Sequence, residues 1–400
     1  MEFQFSENMK SIKSSEIRDL LKYASIPGMI SFAGGLPNPE SFPISDIKAI
    51  LNDIMDHSGP SALQYGQTDG LHSLKAQLAG YLKQSENMNV DPENIMLTTG
   101  SQQSLYALPI ILANRGDYAV IEAPTYVGML SSFNANGVLS IPVSLDENGM
   151  KTDELETKLK EMKSKNIKPR FIYTIPTFQN PAGYTMNLER RKHLLELAVE
   201  YQIPVIEDNP YGDLRYSGQK LPSLKSMDKD NIVTYLGTFS KIMAPGLRTG
   251  FIVSQPEILN EYNKLKQSMD LASDSLSQYI AYEYIKRGII YKQIPKTIEL
   301  YRKKRDIMLE ALDDEMSNST WSRPDGGMFL WVQLQKGLDS SKMLKRAIEN
   351  KISYVTGSAF YHTNPEKNTM RLNFTYSSDD DIKEGVKRLA KTIKDEINSQ

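Results

Sequence analysis

The chain has 400 residues, enough to bury a large core and more than one average domain requires, so two lobes are expected. Its apolar fraction of 40%, charged fraction of 24% and formal net charge of -2 are ordinary for a globular protein and give no bulk electrostatic reason to bind nucleic acid or an anionic membrane. There is no cysteine, which removes disulfides, thiolate metal sites and cysteine nucleophiles and suits a reducing, cytoplasmic setting.

The first twenty residues are charged and polar without an apolar centre and do not read as a signal peptide. No stretch reaches the roughly 18 apolar residues of a membrane span. Residues 1–50 contain Gly34-Gly35 and several prolines and are expected to form an arm packed on the smaller lobe. From residue 51 to 290, short apolar runs at 95–98, 118–122, 171–175, 205–207, 232–236 and 250–253 alternate with amphipathic stretches at 70–83, 101–113, 188–201 and 275–287. That alternation predicts a large α/β domain: a mostly parallel central sheet layered by helices, with strands buried on both faces. The polar-amphipathic segment 292–315 has the length to bridge two lobes. Beyond it a strand at 326–332, a helix at 342–350, a strand at 370–374 and a final helix make residues 291–400 a smaller α/β domain. The histidines, His57, His72, His193 and His362, show no i, i+4 pairing, so no metal site is expected.

Chemistry concentrates at the predicted strand ends, where an α/β sheet binds ligands. Thr238-Phe239-Ser240-Lys241 follows one apolar run, and Arg248 precedes the next. A lysine amine condenses with a carbonyl, which a guanidinium does not. Hydroxyls at Thr238 and Ser240, with Arg248, would complement a phosphate dianion. A solvated loop lysine is the plainer reading of Lys241 taken alone. Val205-Ile206-Glu207-Asp208 ends in a carboxylate that either pairs with a protonated heterocycle or caps the turn before Pro210. Thr99-Gly100-Ser101-Gln102 opens a helix whose free N–H groups suit an anion, with Ser101 also a natural N-cap. Tyr126 follows a strand and offers a ring to stack on a flat heterocycle. Asn180, in Gln179-Asn180-Pro181, offers an amide donor or merely starts a turn. No dinucleotide fingerprint or nucleotide P-loop occurs in the sequence.

In order and spacing these segments resemble the fold-type I aminotransferases that depend on pyridoxal 5′-phosphate (PLP), in particular the subgroup of 2-aminoadipate, kynurenine and aromatic amino acid aminotransferases. The resemblance runs from Ser15-Glu16-Ile17-Arg18 to Arg371 and includes Ser31-Phe32-Ala33-Gly34-Gly35-Leu36-Pro37, Leu63-Gln64-Tyr65-Gly66 and Ser240-Lys241. It implies a Schiff base between Lys241 and the cofactor, Asp208 on the pyridinium nitrogen, Asn180 and Tyr211 on the phenolic oxygen, and Tyr126 stacked on the ring. Ser101, Gln102, Ser240 and Arg248 would hold the phosphate, with Tyr65 entering from the other subunit of a homodimer that shares its active sites. Arg371 with Asn180 would bind the substrate carboxylate, and Gly34, Tyr65 and Arg18 would line the substrate, Arg18 favouring an acidic side chain. The implied reaction moves an amino group from an L-amino acid (aromatic, 2-aminoadipate or glutamate-like) to a 2-oxo acid such as 2-oxoglutarate. Decarboxylation or β-elimination on the same cofactor is the alternative chemistry. A non-catalytic effector-binding body of a transcription regulator is a further alternative, against which the sequence offers no room for a winged-helix domain before the aminotransferase-like body.

Overall fold

The computed structural model describes residues 3–12, 20, 22 and 26–399. In chain order the strands are β1 (Ile30–Ser31), β2 (Ile95–Thr99), β3 (Tyr118–Ala123), β4 (Leu139–Asp146), β5 (Gly149–Met150), β6 (Ile172–Thr174), β7 (Val205–Asp208), β8 (Val233–Thr238), β9 (Thr249–Val253), β10 (Thr320–Trp321), β11 (Phe329–Gln333), β12 (Ile352–Ser353), β13 (Val355–Thr356) and β14 (Thr369–Asn373). The large sheet has the order β2-β9-β8-β7-β6-β3-β4-β5. Strands β4, β3, β6, β7 and β8 run parallel, whereas β9 is antiparallel to both β8 and β2. Every residue of β7, β8 and β9 is buried, as their continuous apolar sequences require.

Side chains alternate between two apolar layers. Ile121, Tyr173, Ile206 and Leu236 face one side with Leu105, Leu108 and Phe133. Val120, Ile172, Val205 and Val233 face the other with Leu155, Leu194 and Leu197. The strands expected from the apolar runs are present within two residues of their expected bounds. β4 was not expected, because Pro142 interrupts its run. Its partner β5 pairs only with Leu145 and Asp146, so the proline lies where β4 has a single neighbour and its missing N–H removes no ladder bond. Gly326-Gly327 precedes β11 instead of joining it, because Gly326 bridges to Arg215 and Gly327 N donates to Leu214 O at 2.9 Å; a Cβ on Gly326 would stand 2.2 Å from the Phe178 ring.

A second, antiparallel sheet, β10-β11-β14-β13, is built entirely from residues after 319 and packs with the helices Ser340–Glu349 and Asp379–Ile397. The helix Ile289–Glu315 leads into it. We propose the division into an arm, a large domain and a small domain on the strength of this separate sheet. The helix Ile44–Ala62 spans the boundary expected at residue 50. The arm is less uniform than anticipated. β1 pairs with β12 and Phe32 packs against Gly385, so this part lies on the small sheet's side. The helix Glu7–Ser11 instead docks on the large domain, with Ser11 Oγ donating to Asn134 O at 2.8 Å. Among the described residues no helix is long and apolar enough to cross a membrane.

β9 meets the start of the helix Ser101–Leu112 so closely that a Cβ on Gly250 would lie 2.7 Å from Ser101 N and 2.8 Å from Gly100 C. Backbone cannot yield as a flexible side chain does. Gly250→Ala is therefore expected to lower stability by about 1–3 kcal/mol in denaturant unfolding, and an unchanged midpoint would contradict the close approach.

Candidate active site

β2, β3, β6, β7 and β8 end, and β9 begins, along one edge of the large sheet. The candidate residues after these strand ends therefore converge although they are spread over 147 positions from Ser101 to Arg248. Asp208 closes β7 and is buried. Its Oδ2 accepts a hydrogen bond from the Tyr173 hydroxyl at 2.9 Å. Its Oδ1 is equally buried and has no partner. Burial pushes the Asp208 carboxyl up to about 7, with the Tyr173 hydroxyl pulling the other way. Burial also holds Tyr173 well above its ordinary value, which keeps it a neutral donor.

After β6, Asn180 Nδ2 donates to Tyr211 Oη at 3.1 Å. Asn180 Oδ1 accepts from Arg371 Nη1 at 3.0 Å. Arg371 sits in the middle of β14, pairing across to Trp331 and Val355, and its Nη2 donates to Ala33 O at 2.8 Å. Its guanidinium lies over Phe329 and Phe360, 4.1 and 5.0 Å from the ring centroids. The buried Nε has no partner. Burial lowers this guanidinium to about 10.

Lys241 follows β8, half-buried, with Nζ donating to Gly35 O at 3.0 Å. Burial lowers its amine to about 8, and the charges of Arg371 and Arg248 add to the effect. Gly34 is buried, between the residue whose carbonyl holds Arg371 and the residue whose carbonyl holds Lys241. The arm thus touches both cations through its backbone.

Ser101 and Gln102 open the helix Ser101–Leu112 after Gly100, which has φ +71°. A Cβ on Gly100 would stand 2.4 Å from Arg248 Nη2, so only a glycine lets the Arg248 guanidinium lie against this turn. Thr238 Oγ1 donates to Ser240 Oγ at 3.0 Å, which fixes that hydroxyl just after β8. Tyr126 caps the next helix, with its hydroxyl 3.5 Å from Gln102 Oε1.

Two expectations fall outside this cluster. Tyr65 is 83% exposed and does not join the site of its own chain. Arg18 lies outside the described residues. The structure adds residues that sequence reasoning missed: Tyr173, the rings of Phe329 and Phe360, and Gly35. Tyr173 had a signal, because a tyrosine within the buried run Phe171-Ile172-Tyr173-Thr174-Ile175 needs a partner for its hydroxyl. Glu122 was also missed. It is buried and accepts from Thr174 Oγ1 at 2.5 Å, Ile175 N at 3.3 Å and Gln179 Nε2 at 3.0 Å, so it ties the loop carrying Asn180 to the end of β3.

The site therefore presents a bare carboxylate oxygen, an amine of depressed basicity, a phenol–amide pair, a ring and an anion-ready helix start. A flat heterocycle bearing a ring N–H, a phenolic oxygen, a carbonyl and a phosphate matches each of these in kind.

Comparison with known proteins agrees. The family described as aminotransferase class I and II matches residues 32–389. The aromatic-amino-acid aminotransferase 1 of Thermococcus litoralis is 46% identical, over 98% of this chain and 94% of its own. The solved kynurenine aminotransferase of Pyrococcus horikoshii, in complex with PMP, has a TM-score of 0.95 at 48% identity and covers 98% of this chain and 97% of its own. The α-aminoadipate aminotransferase of Thermus thermophilus, complexed with N-(5′-phosphopyridoxyl)-L-leucine, has a TM-score of 0.91 at 36% identity over 99% of this chain and 98% of its own.

Asp208 also has a stability signature. Its carboxyl is raised from an ordinary 3.8 to about 7, so the folded chain holds a proton that the unfolded chain has released. The Asp208 contribution to stability therefore falls as pH rises from about 4 to about 7. In cofactor-free protein, Asp208→Asn is expected to raise stability on the order of 1–3 kcal/mol at pH 7.5 and much less at pH 4.5. Equal unfolding midpoints for variant and parent at pH 7.5 would contradict the burial of a charge there.

Proposed function

The chain belongs to the class I and II aminotransferase family, and on that footing we propose that this PLP-dependent aminotransferase takes an aromatic amino acid or 2-aminoadipate as amino donor and 2-oxoglutarate as acceptor, with Lys241 as the covalent anchor of the cofactor. The donor class follows the names of the relatives at 46% and 36–48% identity. The observation that carries the residue assignment is the unpartnered, buried Oδ1 of Asp208 in the same strand-end cluster as an amine lowered to about 8.

PLP supplies an aldehyde carbon for the amine and a protonated ring that draws electrons from the substrate Cα. The chain's own groups do the rest. With its basicity lowered, a substantial share of Lys241 is neutral near pH 7.5, so it could bond to the cofactor's aldehyde carbon and, when free, would move the proton lost from the substrate Cα to that carbon. Asp208, held by Tyr173 through Oδ2, turns Oδ1 to the ring nitrogen and favours its proton. Asn180 and Tyr211 hydrogen-bond the phenolic oxygen, and Tyr126 covers one ring face. Ser101, Gln102, Ser240 and Arg248 take the phosphate, where helix-start N–H groups and a guanidinium need little rearrangement.

Arg371 receives the substrate carboxylate with Asn180, beside Gly34. The Phe329 and Phe360 rings prevent the guanidinium from swinging, so the substrate is oriented before any proton moves. Tyr65, 83% exposed on its own chain, is positioned in our reading to enter the site of a second copy. Arg18 is assigned to the substrate side chain on the family resemblance.

Purified protein supplied with PLP is expected to gain a visible absorption band that productive amino donors alone remove. Donors tested with 2-oxoglutarate should yield glutamate and their own 2-oxo acid. Lys241→Ala should lose the band and at least about 10⁴-fold of turnover. Release of carbon dioxide or ammonia in place of the 2-oxo acid would overturn the transaminase assignment, and a Lys241→Ala variant with full turnover would overturn the anchor.

Sharing of sites is tested by mixing two inactive chains, Tyr65→Ala and Lys241→Ala. In a hybrid dimer one site combines the intact Lys241 of the first chain with the intact Tyr65 of the second. Activity should reappear on mixing. Its failure to do so, with hybrid formation established by mass, would remove Tyr65 from the neighbouring site.

A further inference from the structure

A second charged cluster lies behind the turn at residues 99–103, and the reaction does not use it. Lys266 is fully buried, at 0% exposure, on the helix Pro256–Met269. It follows Leu259 and Tyr262 along the stripe by which that helix meets the apolar layer. Packing alone asks for an apolar side chain at such a position. The ammonium is instead saturated: Nζ donates to Asp270 Oδ1 at 2.8 Å, to Ser273 Oγ at 2.9 Å and to Gln103 Oε1 at 3.1 Å.

Each of those partners leads back to the turn. Asp270 Oδ2 accepts from Thr99 Oγ1 at 2.6 Å and from Gln103 Nε2 at 2.7 Å. Gln103 Oε1 accepts from Thr99 N at 2.9 Å, and Thr99 Oγ1 lies 3.1 Å from Ser273 Oγ. Thr99 and Gln103 flank Gly100-Ser101-Gln102, and both are gripped by the same ion pair. The pair is buried at Lys266 and open to solvent at Asp270, so the desolvation of the ammonium offsets much of its attraction to a screened carboxylate and little net stability results. Its benefit lies in fixing geometry.

We propose that the Lys266–Asp270 pair is a positioning element that fixes the Thr99–Gln103 turn in the conformation that receives a phosphate monoester. The inference rests on the assignment of Ser101 and Gln102 to the cofactor phosphate. On one side, Gly100 meets Arg248 and Gly250 meets Ser101 N. On the other, the ion pair orients the Gln103 amide, and that amide holds Thr99 N. The N–H groups of the turn are thereby prevented from rotating into the solvent-bonded arrangement they would otherwise prefer. Lys266 and Asp270 touch neither cofactor nor substrate, and act through Thr99 and Gln103.

The test separates phosphate from ring. Full-length chain stripped of cofactor is titrated with pyridoxal phosphate and, separately, with pyridoxal, which lacks the phosphate, following the change in visible absorbance. Lys266→Met keeps side-chain volume and removes the charge. It should weaken pyridoxal phosphate binding about tenfold or more and pyridoxal binding less than about twofold, so that the preference for the phosphorylated ligand collapses. Asp270→Asn should shift the preference the same way by a smaller factor. It carries the test alone if Lys266→Met does not fold by circular dichroism. Parallel losses for both ligands would mark the pair as merely structural and overturn the proposal, as would unchanged affinities in folded variants. Parent chain that binds the two ligands equally would remove the phosphate assignment itself, and the inference with it.

Discussion

The three charged groups at the centre of the site, Lys241, Asp208 and Arg371, are withdrawn from water without a full set of partners from the chain. Lys241 has one acceptor, Gly35 O. Asp208 has a donor on one oxygen only, and Arg371 keeps a bare Nε. Each responds as electrostatics requires: the two cations are pushed down and the carboxyl is pushed up. Such groups are unstable by themselves and strongly attractive to complementary charge in a low-dielectric setting. Two guanidiniums and an amine, set against one carboxylate, favour a doubly anionic phosphate and a substrate carboxylate together.

The architecture follows from the need to hold these groups apart yet convergent. No local segment can bring a lysine, an aspartate and an arginine to one point while keeping their charged ends out of water. Parallel strands solve this, because every strand end at one edge supplies a side chain from a rigid ladder. Arg371 is the exception, since it comes from β14 in the second sheet. Its bonds to Asn180 and Ala33 therefore join the large domain, the arm and the small sheet. Phe360, stacked under that guanidinium, also accepts from Thr125 N through its backbone carbonyl at 2.8 Å. Arg371 and Tyr126, to which we assign the substrate carboxylate and the cofactor ring, are thus coupled through one backbone contact, so a shift of the small sheet against the large one would alter both.

The parts of this site legible in the sequence were those encoded locally. Asp208 ends an apolar run, Ser101 follows a glycine that opens a helix, and Lys241 sits between two buried strands. Each signal depends on neighbours within a few residues. The sequence showed that the Tyr173 hydroxyl needs a partner but not which one, and Lys266 was not legible at all, because the decisive partners lie 35 and 163 residues away. In a sequence Tyr173 is one more aromatic in a strand, and Lys266 is one lysine in a polar helix. The docking of the helix Glu7–Ser11 on the large domain was misjudged for the same reason, since its contact is with Asn134, 123 residues distant. Composition and periodicity predict what is buried, whereas pairing across the fold decides what a buried polar group is for.

Three buried carboxylates make that distinction concrete. Glu122 stands near the end of β3, Glu207 and Asp208 at the end of β7 with β6 between the two strands, and burial pushes each carboxyl up to about 7. A perturbed carboxyl alone would nominate all three as functional. Their hydrogen bonds separate them. Glu122 accepts from Thr174, Ile175 and Gln179, and Glu207 accepts from Leu224 N and Lys225 N, one on each oxygen. Both are internally complete and serve to bind loops to the sheet. Among the described residues, only Asp208 of the three keeps an oxygen that nothing in the chain satisfies. An unsatisfied buried acceptor costs on the order of 1–3 kcal/mol, and its position at the strand-end edge of the sheet is why we assign this oxygen, and not the two glutamates, to an external donor.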